Sequence, residues 1–268
     1  YAQSQPSQRA GTDPLYLTQW YLKNTGRLTG YSGLAAGEDL QVENVWASGL
    51  RGENIRVAVV DDALEVTHQD LAPNVVEGAS YNYVSDGSWQ RGSPWPLPCT
   101  SSQTHGTAVG GVVAARDGNG LGGRGVAPRA SLVGYNALAN DLDSEVLDAL
   151  VRDQGKNHIY NNSWGAEDDG HFNTPASRSA QVGTILNGLR NGRNGLGSIY
   201  TFAGGNGGAN GDYSVLDGNV SMLGAIPVCG TNAAGKRAPY SEPGPNLIVC
   251  APSSDMGQAK GRSEERRV

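Results

Sequence analysis

The sequence predicts an α/β fold with a mainly parallel sheet. Short apolar runs of strand length alternate along the chain with segments of helical periodicity, the pattern of strand–helix–strand units. The 268 residues show no internal repeat and no linker, and carry 39 glycines and 38% hydrophobic residues. That composition suits a single loop-rich folded domain able to bury a core.

Each element has its own signal. Residues 1–13 are polar and read as an extended arm. "RVAVV" (56–60) reads as a buried strand, and "HGTAVGGVVAA" (105–115) as a helix with small residues on one face. "ASLVGYNAL" (130–138) reads as a strand. "DSEVLDALVRDQG" (143–155) starts with acids, sets Val146, Leu147, Leu150 and Val151 on one helical face, and stops at Gly155. "HIYNNSW" (158–164) is a strand. "TPASRSAQVGTILNGLRNG" (174–192) is a helix capped by Thr174, with Pro175 in its first turn and a terminal glycine. "GSIYTFAGG", "SMLGAIPVCG" and "NLIVCAP" supply further strands. In parallel sheets, sites gather at the carboxyl ends of the strands.

Charge and cysteine content narrow the function. A formal charge of -6 and a pI near 5.2 argue against a basic nucleic-acid surface. No apolar run approaches the roughly 20 residues of a membrane span. No leader pattern opens the chain, so Tyr1 reads as a processed start. Cys99, Cys229 and Cys250 allow at most one internal disulfide. Cys229 and Cys250 both end apolar runs and could sit at neighbouring strand ends; three buried thiols is the other reading.

Chemistry concentrates at three places. Asp61 and Asp62 end the 56–60 strand, where two carboxylates serve no core. His105 opens a helix, whose positive end favours a neutral imidazole fit to act as a base. Asn206, between glycines in "AGGNGG", follows a strand and can offer an amide N–H to an oxyanion. Taken alone, each has a plain structural reading: a satisfied histidine, a turn asparagine. A strand-end Asp followed by a helix-start His is one chain order of the Asp–His–Ser triad.

These blocks together resemble the subtilisin-like serine proteases (subtilases), in their kexin/furin-like branch. "AVVDDALEVTHQDL" is similar to the family's catalytic Asp block, "HGTAVGGVVAA" to its His block and "AGGNGG" to its oxyanion block. "DPLYLTQWYL" (13–22) and "NNSWGAEDDG" (161–170) resemble the kexin-type N-terminal segment and the segment under the S1 pocket. The resemblance runs in order from about residue 13 to 252. It implies a three-layer fold, with a subtilisin-like domain over 1–252 and a tail at 253–268 that fits nothing in the family.

By the same resemblance, Asp61 orients His105, Asn206 stabilises the oxyanion, and Asp62 faces a basic P2 residue. Asp168 and Asp217 surround the S1 pocket, so cleavage after Arg or Lys is expected. Structural Ca2+ is implied at two sites. The first has Asp13, Asp70 and Asn119 as side-chain ligands, with carbonyls of Arg116, Leu121 and Gly123. The second has Asp168, Asp212 and Glu242. A secreted endopeptidase acting on proteins or peptides follows, with a propeptide or chaperone as a possible maturation partner and no nucleic acid.

There are departures. Val151 stands where branch members that prefer a P4 arginine carry an acid, and Ser102 and Gln103 replace acidic and amide residues before His105. "GNGLGG" (118–123) satisfies a dinucleotide fingerprint but follows a helix and precedes a strand, the wrong context. The family's nucleophile lies in a Gly-Thr-Ser block. Gly-Thr pairs occur at 11–12, 106–107, 183–184 and 230–231, none followed by serine. Asn232 only superficially takes that place, and Ser221 lies in an apolar run. "SSDMGQAKGRSEERRV" reads as a truncated or frame-shifted end. The chain as written is therefore expected to be inactive and the intact protein an endopeptidase. The alternative is a non-catalytic calcium-binding module on the same fold.

Overall fold

Strand β1 (Arg56–Val60) is buried along its whole length, as a run of small and β-branched residues with helices on both faces requires. It pairs in parallel with β2 (Ser131–Tyr135) and β3 (Ile159–Asn162). The sheet continues through β4 (Ile199–Ala203), β5 (Ala225–Thr231) and β6 (Val249–Pro252), in the order β2-β1-β3-β4-β5-β6. Every neighbouring pair is parallel, so all six carboxyl ends share one edge. This computed structural model describes residues 13–27, 33–85, 89–140, 142–172 and 178–254. The polar arm at 1–12, the Thr174–Pro175 helix start and the tail at 255–268 lie outside the described residues.

The two faces of the sheet make two cores. Val57, Val59 and Leu132 pack with Leu64, Leu71 and Ala114 beneath helix α2 (His105–Ala114). Ala58, Val60, Tyr160, Tyr200 and Phe202 pack on the other side with Val146, Leu150 and Ile185. These last three come from or flank helices α3 (Asp143–Ala149) and α4 (Arg178–Gly195). The result is the expected three-layer α/β sandwich. A third cluster holds Trp20, Tyr21 and Leu22 against Trp46 of α1 (Val42–Ala47), a short helix the sequence reading did not propose.

Helix boundaries differ from expectation. α3 ends at Ala149 and turns replace helix from 150 to Gly155. Its buried face carries Glu145 and Ala149 beside Val146 and Leu150, with Leu147 and Val151 only half-buried. Glu145 is tolerated there because Arg91 and Asn140 satisfy its carboxylate. α4 loses helical geometry at Gly192, Arg193 and Asn194, where paired Asn-Gly steps weaken the helix. Cys229 and Cys250 are register partners on β5 and β6 and form a disulfide. That resolves the open pairing; Cys99 lies outside it.

Candidate active site

The end of β1 and the start of α2 meet above the sheet. His105 Nδ1 lies 2.8 Å from Asp61 Oδ1 and 3.0 Å from Oδ2. A neutral ring donates its Nδ1 proton to that carboxylate, which leaves the lone pair on Nε2. Asp61 is 1% exposed, while the His105 side chain is 30% exposed. Burial pushes the Asp61 carboxyl above its ordinary range, and the His105 bond and charge pull it back.

Gly106 makes this approach possible. A Cβ there would stand 2.0 Å from the Ala63 carbonyl oxygen and 2.7 Å from Asp61 Cβ. Asp62 does something the sequence did not reveal. Its carboxylate accepts the backbone N–H of His105 at 3.1 Å and of Gly106 at 2.8 Å. It therefore caps α2 from 43 residues away, in place of Thr104, whose side chain makes no cap bond. The helix end that was expected to keep the imidazole neutral thus carries an anion.

The ends of β3 and β4 line an acidic cavity of about 60 Å³. Trp164 ties it to β1 through a 2.9 Å bond from its indole Nε1–H to the Val60 carbonyl. Asp168, Asp217 and Asn206 all line the cavity, so the expected substrate acids and the oxyanion candidate are brought together. The Asn206 backbone N–H donates to Asp168 Oδ1 at 3.1 Å. Asp217 Oδ2 accepts the Ala166 N–H at 3.0 Å, and a side chain at Gly165 would collide with that oxygen. Burial raises the Asp217 carboxyl above its ordinary range, opposed by backbone N–H donors. Glu167 and His171 also line the cavity. The acid run gave a signal for Glu167; nothing local marked His171.

The cation candidates separate. Asp168, Asp212 and Glu242 place carboxylate oxygens within 4.8 Å of one another, and Asp212 and Glu242 are 4% and 3% exposed. Among the described residues no Lys or Arg forms an ion pair with them. Glu242 is pushed up to about 7, chiefly by burial and then by its acidic neighbours. Such a donor set fits a hard divalent cation. At the other candidate, Asp13 and Asp70 are each 2% exposed. Asn119 joins them: its N–H donates to Asp13 at 3.2 Å and its Nδ2 to Asp70 at 2.8 Å. Gly122 presses on Asp70 so closely that a Cβ would lie 2.3 Å from Oδ2. Arg116, Leu121 and Gly123 lie on the same turn. Buried carboxylates around a glycine-rich turn again fit an oxygen-seeking cation, although Arg124 already pairs with Asp13.

An acid-held imidazole at the carboxyl edge of a parallel sheet, beside an acidic cleft, defines a hydrolase-type site. The family profile described as "Subtilase family" matches residues 52–266, and the chain belongs to that family, whose proteases are serine endopeptidases. It is 38% identical over 237 residues to neuroendocrine convertase 2 of Caenorhabditis elegans, covering 86% of this chain and 34% of that one. Human furin is 35% identical over 263 residues, covering 96% of this chain and 30% of furin. The chain thus spans about a third of the length of these curated relatives. A serine protease of Aeromonas sobria, solved in complex with a chaperone, superposes with a TM-score of 0.78 at 32% identity, covering 91% of this chain and 43% of the other.

Proposed function

We propose that this chain is the substrate-binding and acid–base part of a secreted, calcium-stabilised, kexin-like endopeptidase that cleaves proteins after Arg or Lys and favours a basic P2. The observation that carries this reading is the Asp61–His105 bond beside the Asp168–Asp217 cavity. His105 Nε2 takes the proton of a nucleophilic serine and later returns it to the leaving amine, while Asp61 holds the ring and stabilises the imidazolium. Asn206 donates to the oxyanion. Asp168 and Asp217 receive a guanidinium or ammonium. Asp168, Asp212 and Glu242, and Asp13, Asp70, Asn119 and the 116–123 turn, would hold Ca2+, whose positive charge would fix these loops. The disulfide suits an oxidising compartment, and a propeptide or chaperone is a fitting maturation partner, as the chaperone complex of the Aeromonas relative suggests.

The alternative reading is a non-catalytic cation-dependent binding module on the same fold. An organophosphonate probe on protein purified from its source separates the two. Labelled serine plus cleavage of Arg- and Lys-ended peptides is expected, with Asp61→Asn lowering kcat about 10⁴-fold. A folded, cation-responsive protein that neither labels nor cleaves would sink the protease reading.

A further inference from the structure

Asn206 is followed by Gly207, and Asn-Gly is the dipeptide whose geometry best permits self-deamidation. The Gly207 nitrogen, its proton passed to a solvent base, attacks Asn206 Cγ. A C–N bond forms, the Cγ–Nδ2 bond breaks and ammonia leaves. Water then opens the cyclic imide to an aspartyl or isoaspartyl product. No cofactor is required.

The surroundings of this step are specific. Asn206 is exposed, with φ -118° and ψ 2°. Its reacting neighbour is not free: the Gly207 N–H donates to Glu242 Oε1 at 3.1 Å in a buried position. Glu242 lies hard against this backbone. A Cβ on Gly205, where φ is +96°, would meet its carboxylate at 2.1 Å, and the Gly208 N–H is tied to the Tyr240 carbonyl at 2.8 Å. An N–H held by a carboxylate is harder to deprotonate and cannot swing onto Cγ without losing that bond.

We infer that Asn206–Gly207 is a self-modification site, and that the Glu242 hydrogen bond to the Gly207 N–H guards it. Loss of the guard starts a clock that turns an amide donor into a carboxylate beside Asp168. Its consequence for activity rests on the oxyanion role proposed for Asn206; the chemistry itself does not.

The test is peptide mapping by mass spectrometry of the full chain during incubation in mildly alkaline buffer. Asn210–Gly211 serves as an internal comparator, and a free peptide of residues 203–209 as the unguarded reference. In the wild type, Asn206 should convert more slowly than in the peptide. Glu242→Ala should speed Asn206 roughly tenfold, the factor for a lost hydrogen bond of about 1.4 kcal/mol, and leave Asn210 unchanged. Glu242→Gln, which keeps an acceptor oxygen, should behave like the wild type. The inference falls if wild-type Asn206 converts at the peptide's rate, if Glu242→Ala changes nothing, if it speeds both asparagines equally, or if Glu242→Gln matches Glu242→Ala. Activity of Asn206→Asp is a separate arm. Full activity there would remove the oxyanion role and leave the clock standing, whereas an unguarded but stable Asn206 would do the reverse.

Discussion

Remove divalent cations and the Asp168–Asp212–Glu242 cluster should make the fold less stable as pH rises. Glu242 moves from 4.5 to about 7, so the folded chain binds this proton more tightly than the unfolded chain. A carboxyl raised in this way contributes stability that is complete below about pH 4.5 and is lost as pH climbs through about 7. At about 1.4 kcal/mol per tenfold change in proton affinity, the full loss is roughly 3 to 4 kcal/mol. For a domain of this size that is roughly 10 °C in Tm. Calcium acts in the opposite sense, because it favours the ionised carboxylates.

The assay is thermal unfolding from about pH 5 to 8, with chelator or with saturating Ca2+, for wild type and Glu242→Gln. The variant is needed because burial lowers His158, and that group stabilises in the other direction as pH rises. Chelated wild type should lose stability relative to Glu242→Gln across this window, and saturating Ca2+ should reverse the trend, because the wild type keeps all three carboxylates and the variant has lost one. Parallel chelated curves for the two proteins would refute the reasoning.

Three further outcomes are expected. Gly106→Ala drives a methyl into the Ala63 carbonyl and Asp61 and should lower stability by about 3 kcal/mol or more; an unchanged urea midpoint would mean α2 can move freely. Replacing Cys229 and Cys250 with serine removes a crosslink across 21 residues and should cost about 3 kcal/mol, matching the reduced wild type; a stability equal to the oxidised form would show the bridge to be dispensable. Asp168→Asn in the active protein should lower kcat/KM for Arg and Lys substrates about a hundredfold and spare apolar ones; equal losses would reject its S1 role.

What was legible in the sequence follows from the range of the forces involved. β1 was readable to the residue because five consecutive buried positions leave a continuous apolar run. α2 was readable because its start and its small-residue face are local. α3 was overextended because a periodic pattern cannot show that Asn157 and Tyr160 side chains bond the Arg152 carbonyl and hold the 150–156 turns. α1 left too short a pattern to register. The Cys229–Cys250 pairing needed the β5–β6 register, which exists only once the sheet is assembled. Most of the candidate site residues came from ordered family-like blocks, since spacing alone cannot bring Asp168, Asp212 and Glu242 from three loops to one point.

Asp62 shows how far that limit reaches. As a residue it suggested substrate recognition; in place, it spends part of its capacity on α2. A carboxylate offers about four lone-pair sites, and the His105 and Gly106 N–H groups engage one on each oxygen. About two remain, enough for a basic P2 side chain. A guanidinium or ammonium arriving there would therefore bind an anion already positioned by the helix that carries His105. On the proposed P2 role, recognition and catalysis would be coupled through these two bonds: a shift of Asp62 would pull on the first turn of α2, which carries the ring held by Asp61.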